Sequence, residues 1–225
     1  MKKIKPDLVL IDLDGTLIDS VPDLAYCIDE MMTQVGLPKR GQNAVRNWVG
    51  NGVQRLTERA LVNSVEGMPD QALMEKAYPI FLELYAHNNA QRSHVYEGVI
   101  EGLSWMKKNG YRLGCVTNKA EMFTTPLLKN KALFDWFEFV VSGDTCIEKK
   151  PHPMPLLHAA KLMGVTPENA LMIGDSRSDV KAARAAGFHV FCMTYGYNHG
   201  EDIRDYHPDV VMDSFGELSN YMEPN

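Results

Sequence analysis

The sequence predicts an α/β fold: a doubly wound, Rossmann-like parallel sheet core with an inserted helical cap domain. Two observations predict the sheet, because short apolar runs recur along the chain and spacers long enough for a helix separate them. The runs cover residues 8–11, 113–116, 137–141, 170–173, 190–193 and 210–212. A third observation predicts the insertion: about a hundred residues separate the first run from the second, whereas a crossover needs only one helix.

Size and composition agree with a folded core. The chain has 225 residues, of which 45% are hydrophobic. This length suits either one large domain or a core domain of about 150 residues with a smaller insertion. The long gap after the first strand favours the second arrangement.

The spacers between the later strands have the apolar spacing of crossover helices. Two of these helices are expected to end at Gly164 and Gly187, since glycine is the usual residue just past a helix end. The expected buried faces are Met122, Leu127, Leu128 and Leu133 in the first helix, Leu156, Leu157, Ala160 and Met163 in the second, and Val180, Ala183 and Ala186 in the third.

The cap is expected over residues 18–94, which leaves residues 1–17 and 95–225 as the α/β core. Its first helix carries an apolar stripe from Val21 to Val35, ahead of Gly36. The preceding Ser20-Val21-Pro22-Asp23 matches a capping box with an early proline.

Three further stretches of the cap have helical patterns, at residues 45–49, 53–62 and 70–88. Gly50-Asn51-Gly52 interrupts the first pair, and Pro79 is expected to kink or split the last helix. The chain then returns to the sheet through Gly98 and a helix that carries Val99, Leu103 and Met106.

Polar residues follow the predicted strands at the point where each strand ends. Ligands of open parallel sheets bind beyond these carboxyl ends. The residues there are Asp12 and Asp14 after the first strand, Thr117 and Asn118 after the second, Ser142, Gly143 and Asp144 after the third, and Gly174, Asp175 and Asp179 after the fourth. Taken singly, each is an ordinary turn or cap residue, but together they indicate a site.

Several carboxylates at one edge repel one another unless a cation lies between them. An oxygen-only ligand set suits a hard cation, Mg²⁺ above all. Magnesium held by carboxylates commonly takes a substrate phosphate as a further ligand, so the pattern indicates phosphate chemistry. Two aspartates one residue apart, Asp12 and Asp14, suit a nucleophile and a general acid/base, while Lys150 and Thr117 suit phosphoryl oxygens.

Charge and cysteine usage exclude other functions. A net charge of −6 disfavours nucleic acid and anionic membranes as partners, so the expected partner is a small phosphate ester. The four cysteines form no Cys-x-x-Cys pair, and reduced core thiols are expected. The apolar run after the basic start is too short for a signal peptide, which predicts a cytoplasmic protein.

Four ordered motifs resemble those of the haloacid dehalogenase superfamily. They are Asp12-Leu13-Asp14-Gly15-Thr16, Thr117-Asn118, Lys150-Pro151-His152-Pro153 and Gly174-Asp175-Ser176-Arg177-Ser178-Asp179. The resemblance covers essentially the whole chain, and the helical insertion directly after the first motif looks like that superfamily's cap.

The resemblance implies a role for each motif residue. It makes Asp12 the nucleophile and a metal ligand, and Asp14 the general acid/base and a ligand through its backbone carbonyl. Asp175 is the third protein ligand of Mg²⁺. Thr117 and Lys150 hold phosphoryl oxygens, and Asp179 steadies the metal waters or Lys150.

Within the superfamily, Asp14 places the chain with phosphatases and phosphomutases rather than dehalogenases. The chain looks most like the enzymes that hydrolyse 2-phosphoglycolate, through Asn47-Trp48-Val49-Gly50-Asn51-Gly52, Thr117-Asn118-Lys119, Lys149-Lys150-Pro151-His152-Pro153 and Thr194-Tyr195-Gly196-Tyr197-Asn198. The chain departs from the pattern of these enzymes at two positions. Met154 stands where an acidic residue often follows His-Pro, and Glu97 replaces a proline that is common before Gly98. Neither residue takes part in the proposed chemistry.

The cap is expected to recognise the part of the substrate beyond the phosphate. Gly50, Asn51 and Gly52 can offer backbone N–H groups to an anion such as a carboxylate, although an ordinary helix–helix turn explains them equally well. Arg55 and Arg59 are weighed as carboxylate ligands and left off the site. Three alternatives stay open: a phosphatase of another small phosphate ester, a sugar phosphomutase on the same scaffold and, more distantly, a receiver-like phosphoacceptor without turnover.

Overall fold

The structure is a computed structural model that describes residues 3–224, and it contains a six-stranded, wholly parallel sheet. The strands are β1 (Leu8–Ile11), β4 (Arg112–Val116), β5 (Phe139–Val141), β6 (Ala170–Gly174), β7 (His189–Met193) and β8 (Val210–Met212). Their order across the sheet is β5-β4-β1-β6-β7-β8. The predicted fold class is confirmed. Five of the six apolar runs lie wholly in strands, and the run over residues 137–141 begins two residues before β5.

The central strand β1 is buried on both faces, as its unbroken apolar run predicts. Val9 and Ile11 belong to one apolar cluster, and Leu8 and Leu10 to another on the opposite face. Helices α5 (Val99–Lys108), α6 (Glu121–Asn130) and α9 (Leu218–Tyr221) contribute side chains to the first cluster, and helices α7 (Met154–Met163) and α8 (Arg177–Ala186) to the second. The sheet is therefore a middle layer between helices.

The helix ends and faces of the core follow the sequence with three exceptions, at Met122, Leu157 and Leu133. Gly164 and Gly187 take the left-handed conformation that ends α7 and α8. Met122 and Leu157, expected to be buried, are 60% and 40% exposed. Leu133 is buried, but it lies beyond the end of α6 rather than on it.

The insertion is helical, and it has an apolar core of its own. Its helices are α1 (Val21–Gln34), α2 (Gly41–Arg46), α3 (Val53–Val62) and α4 (Gln71–Asn88). The predicted stripe of α1 is buried from Val21 to Met32. The core-domain residues Phe123 and Tyr197 join this cluster, so the insertion packs directly onto the sheet domain near its ligand-binding edge.

Two expectations for the cap helices are wrong. The helix expected over residues 45–49 lies earlier, at Gly41–Arg46, and residues 47–52 are turns and bends. Helix α4 runs unbroken through Pro79 instead of splitting there. Packing of Ala77, Phe81 and Tyr85 into the cap core outweighs the lost backbone hydrogen bond.

The capping box predicted at Ser20 is also wrong. Ser20 precedes α1, but its hydroxyl has no hydrogen-bond partner among the described residues. The Asp23 carboxylate instead accepts the Arg92 N–H at 2.7 Å, the Ser93 N–H at 2.9 Å and the Ser93 hydroxyl. A long-range contact therefore takes the carboxylate that the local motif would use, and it ties the two ends of the insertion together.

Two short strands carry the chain into and out of the insertion. Strands β2 (Ile18–Asp19) and β3 (His94–Val95) pair antiparallel. Asp19 accepts a hydrogen bond from the Tyr197 hydroxyl and one from Arg46 at 2.8 Å. This junction joins both connections to a core loop and to α2.

The cysteines and helix lengths complete the description. All four cysteines are free; Cys27, Cys115 and Cys192 are buried, while Cys146 is partly exposed. Within residues 3–224, none of the helices combines the length and apolar character needed to cross a bilayer.

Candidate active site

The site lies at the carboxyl edge of the sheet, around its central strand. Strand β1 pairs with β4 on one side and β6 on the other. Asp12, Thr117 and Asp175 directly follow these three strands, so the parallel topology brings them to one place. The arrangement expected from the strand ends is present.

A buried lysine lies between two carboxylates at the base of the site. Lys150 Nζ is 2.9 Å from Asp12 Oδ1 and 2.7 Å from Asp179 Oδ1. It also donates to the Val116 carbonyl at 2.7 Å. An ammonium has three N–H donors, so these acceptors use all of them. Burial disfavours the charged lysine, yet both carboxylates raise its pKa above the usual value.

Asp179 holds the loop after β6 as well as the lysine. Its Oδ2 accepts the Ser176 hydroxyl at 2.7 Å and the backbone N–H groups of Ser176 and Asp175 at 3.1 and 3.3 Å. The bond from the Ser176 N–H is one half of the capping box that begins α8, and the Ser176 side chain accepts the Asp179 N–H in the other half. The carboxylate is fully buried and directed toward Lys150.

Asp175 is fixed by donors on both sides and by two close glycines. Its Oδ1 accepts the Thr16 hydroxyl at 2.5 Å, and its Oδ2 accepts the Tyr197 N–H at 2.6 Å. A Cβ on Gly15 or Gly196 would overlap the Asp175 carboxylate. Gly15 also has a φ of 89°, a conformation that other residues rarely adopt. Glycine at these positions therefore makes room for the carboxylate.

Three carboxylates form a cluster with too little positive charge. Oxygen atoms of Asp12, Asp175 and Asp179 lie within 4.8 Å of one another, and Lys150 is their one cationic partner among residues 3–224. Burial raises the pKa of Asp12 to about 7 against the attraction of Lys150. Burial and the neighbouring carboxylates hold the pKa of Asp175 well above its usual range. An oxygen-only cluster with this excess of negative charge fits a hard divalent cation.

The side chain of Asp14 points away from this cluster. Its carboxylate lies 3.1 and 3.2 Å from Lys119 Nζ, and Lys119 also donates to the Tyr85 hydroxyl at 2.5 Å. Tyr85 belongs to α4 of the cap. The carboxylate expected to act as acid/base is therefore separate from the cluster and linked to the cap.

Asn118 bridges the sheet domain and the cap. Its amide nitrogen donates to the Lys150 carbonyl at 2.8 Å and to the Gly50 carbonyl at 3.0 Å, and its oxygen accepts the Lys150 N–H at 3.0 Å. Thr117 Oγ1 accepts the Lys119 N–H at 3.2 Å. Asn118 thus positions the Lys150 backbone and contacts the glycine loop of the cap.

A cavity separates the aspartates from the cap. Its volume is about 40 Å³, enough for about three waters at 10–15 Å³ each, so a ligand that enters without movement of the cap is small. Its walls are Asp12, Asp14, Leu24, Val49, Gly50, Gly52, Val53, Leu56, Thr117, Asn118 and Lys119. Most of the sequence-predicted site residues meet here; Asp175, Asp179 and Lys150 lie behind Asp12, and Asn51 is not among the wall residues.

The cap arginines point elsewhere. Arg55 pairs with Glu58 at 2.9 Å and donates to the Gly67 carbonyl at 2.9 Å. Arg59 is buried and donates to the carbonyls of Trp48 and Val65 at 2.6 and 3.0 Å. Both side chains hold the cap's own loops and neither lines the cavity, which agrees with leaving them off the site.

Sequence reasoning gave no role to Lys119 or Tyr85. Lys119 directly follows Thr117 and Asn118 at a strand end, and this position alone indicates a site residue. Tyr85 is one of several apolar-spaced residues of α4, and no local pattern distinguishes it. Only the packing of α4 on the sheet edge brings its hydroxyl to Lys119.

Comparison with known proteins decides the family. The model of the haloacid dehalogenase-like hydrolases matches residues 9–193, a span that includes all four motifs. The chain belongs to the haloacid dehalogenase-like hydrolase family. The resemblance inferred from the motifs is confirmed.

Relatives within the haloacid dehalogenase-like hydrolases align over nearly the full chain. A protein of Nitrosococcus oceani named phosphoglycolate phosphatase is 62% identical over 218 residues, with 97% of each chain covered. One of the same name from Thiobacillus denitrificans is 44% identical, over 94% of this chain and 93% of the other. The crystal structure of a predicted phosphoglycolate phosphatase from Haemophilus somnus 129pt has a TM-score of 0.91 at 34% identity, covering 96% of this chain and 98% of that one.

Proposed function

We propose that this hydrolase is a Mg²⁺-dependent phosphatase that converts 2-phosphoglycolate and water to glycolate and phosphate. The observation that carries the proposal is the placement of Asp12 between the acidic cluster and a small cavity closed by the cap, with Asp14 at the same cavity. The names of relatives at 62% and 44% identity support the choice of substrate.

Asp12 and Asp14 divide the chemistry. In the first step an Asp12 carboxylate oxygen attacks phosphorus, the phosphorus–oxygen bond to glycolate breaks, and Asp14 donates a proton to the leaving oxygen. In the second step water attacks the phosphorus of the aspartyl-phosphate, Asp14 accepts the water proton, and the Asp12 carboxylate is released. The two carboxylates keep separate roles because they have separate partners, Lys150 and Lys119.

Asp12, Asp175 and the backbone carbonyl of Asp14 would hold the metal, with Asp179 behind them. Mg²⁺ bound there supplies positive charge that offsets the repulsion between the Asp12 carboxylate and a phosphate dianion. Hydrogen bonds from the Thr16 hydroxyl and the Tyr197 N–H orient the Asp175 carboxylate independently of the metal.

The remaining motif residues bind and orient the phosphoryl group. Thr117 lines the same cavity as Asp12 and Asp14, and its hydroxyl oxygen accepts the Lys119 N–H at 3.2 Å. Lys150 neutralises Asp12, and its contact with a phosphoryl oxygen requires exchange of one of its three bonds. Asn118, Gly50 and Gly52 also line the cavity. With Asn51, the two glycines form the turn before α3, and backbone N–H groups at the start of this helix suit an anion.

The division into domains follows from these roles. We assign residues 18–94 to the cap, which excludes water and contacts the substrate beyond its phosphate, and residues 1–17 and 95–225 to the catalytic core. The four free cysteines support a reducing compartment, the cytoplasm. The partner is the small-molecule ester.

The test is phosphate release from 2-phosphoglycolate beside a panel of small phosphate esters, with EDTA as a control. We expect Mg²⁺-dependent turnover and a kcat/KM for 2-phosphoglycolate at least about tenfold above the panel, equal to about 1.4 kcal/mol. Equal kcat/KM values across the panel would rule out 2-phosphoglycolate as the specific substrate. Interconversion of sugar phosphates without phosphate release overturns the reaction in favour of a mutase, and a stable phosphoprotein without turnover favours a receiver.

A further inference from the structure

Lys119 is a buried cation at the cavity, and two of its three hydrogen bonds go to the same carboxylate. Its side chain is 2% exposed and it lies on the cavity wall. Within residues 3–224, its Nζ is bonded to the Asp14 carboxylate and the Tyr85 hydroxyl. An ammonium has three N–H donors, and two of them face the two oxygens of the same carboxylate at 3.1 and 3.2 Å. Release of one of these long contacts frees a donor for a ligand in the cavity while the pairing with Asp14 is kept.

Lys150, the other buried lysine of the site, has no comparable donor for a ligand in the cavity. The three acceptors of Lys150 use all of its donors and hold it behind Asp12. Among the described residues that form the cavity wall, Lys119 is the one with a cationic side chain. An anionic group in this cavity, other than the phosphate, therefore has Lys119 as its charged partner.

The position of Lys119 fixes where that anionic group must be on the substrate. The reacting phosphorus lies at Asp12 and the leaving oxygen at Asp14, since Asp14 protonates it. Asp14 is bonded to Lys119 at 3.1 Å, so the ammonium lies next to the atoms directly attached to the leaving oxygen. In 2-phosphoglycolate a single CH₂ separates the leaving oxygen from the carboxylate, a spacing that matches this neighbourhood.

We infer that Lys119 determines specificity by binding a substrate carboxylate one carbon from the phosphate ester oxygen. The inference rests on the proposed phosphatase activity and names the residue that selects its substrate. A desolvated ammonium attracts a carboxylate strongly, and the resulting hydrogen bond is charge-assisted. The nearby walls Leu24, Val53 and Leu56 offer no competing polar side chain.

Tyr85 makes this recognition depend on the closed cap. Its side chain is fully buried in α4, its hydroxyl accepts from Lys119 at 2.5 Å, and the ammonium also lies 4.8 Å from the centre of its ring. Phe123 packs against the ring with centroids 4.7 Å apart. The cap thus fixes the ammonium beside Asp14 when it covers the site.

The test compares two substrates that differ at the proposed contact. 2-Phosphoglycolate and ethyl phosphate share the ester oxygen and its CH₂, but ethyl phosphate has a methyl group in place of the carboxylate. We expect Lys119→Met to lower kcat/KM for 2-phosphoglycolate at least about 30-fold more than kcat/KM for ethyl phosphate. The loss that both substrates share measures the contact of Lys119 with Asp14. Lys119→Arg, which keeps the charge, should restore part of the preference. The exposed Lys161 of α7 provides Lys161→Met as a control for loss of a lysine charge away from the cavity, with little change for either substrate.

Equal losses for both substrates in Lys119→Met overturn the inference, because Lys119 then only positions Asp14. Unchanged kinetics overturn it as well. If Lys119→Met does not fold, as judged by circular dichroism, Lys119→Gln replaces it with the same expectations. If the wild-type enzyme shows no preference for 2-phosphoglycolate, the proposed function is wrong rather than the role of Lys119. The wild-type and Lys119→Met kinetics, measured together, distinguish these two outcomes.

Discussion

Lys150 Nζ lies 2.9 Å from Asp12 Oδ1, in a place where 1% of the lysine side chain is exposed. The lysine is thus both the counterion of the reacting carboxylate and a structural link to Asp179. Both the activity and the stability of the protein are therefore expected to depend on the Lys150 charge.

Removal of the Lys150 charge should damage both properties. For Lys150→Met we expect kcat/KM to fall by at least about 100-fold, because the phosphoryl charge loses a fixed cation. We expect the free energy of unfolding in EDTA to fall by about 3 kcal/mol, because two buried carboxylates lose their partner. Urea denaturation and phosphate release measure the two effects.

Lys149→Met is the matched control for this prediction, since Lys149 is the exposed neighbour. Its free energy of unfolding should stay within about 0.5 kcal/mol of the wild type. Equal stability losses in the two variants would show that the Lys150 contacts contribute nothing special.

Gly15 should control metal affinity through its missing side chain. A Cβ there overlaps the Asp175 carboxylate, so Gly15→Ala displaces a proposed metal ligand. We expect the Mg²⁺ concentration for half-maximal activity to rise at least about tenfold. Titration of activity with Mg²⁺ measures it.

Gly36→Ala separates this effect from backbone strain. Gly36 has a φ of 78°, similar to the 89° of Gly15, but a Cβ there has no atom within 4 Å. We expect a stability loss of about 1 kcal/mol and an unchanged Mg²⁺ requirement. A shift of the same size in both variants would contradict the role given to Gly15.

The metal-free protein should lose stability as pH rises through the titration of Asp12. The ordinary pKa of this carboxyl is 3.8, and burial raises it to about 7 in the folded protein. Between these values the folded state keeps a proton that the unfolded state has released, so the free energy of unfolding falls, by at most about 4 kcal/mol. Denaturant unfolding in EDTA at a series of pH values from 4 to 8 measures it.

Asp12→Asn isolates the contribution of Asp12. Groups away from Asp12, such as His199, whose pKa burial lowers, contribute equally to both proteins. The difference in slope therefore reports on Asp12 together with Asp175, whose pKa the Asp12 charge helps to raise. Saturating Mg²⁺ should shrink that difference, because the cation favours the ionised carboxylate. Identical slopes in EDTA would contradict the prediction.

The sequence predicts the sheet because its strands are buried on both faces and therefore appear as unbroken apolar runs such as residues 8–11. It predicts Asp12, Thr117 and Asp175 because parallel topology carries strand ends to one edge. The sequence does not predict contacts between residues that are far apart in the chain. Asp23 bonds the Arg92 and Ser93 N–H groups rather than the helix start, and Tyr85 meets Lys119 only through packing of the cap.

The central claim is that Asp12 carries the phosphoryl group during turnover. The most direct measurement is an acid quench of the Mg²⁺-loaded enzyme with radioactively phosphate-labelled 2-phosphoglycolate, followed by peptide mapping. We predict label on the peptide that contains Asp12, and for Asp12→Asn a folded protein with no label and turnover reduced at least about 10⁴-fold. Label on another residue, or substantial turnover by Asp12→Asn, would contradict the account.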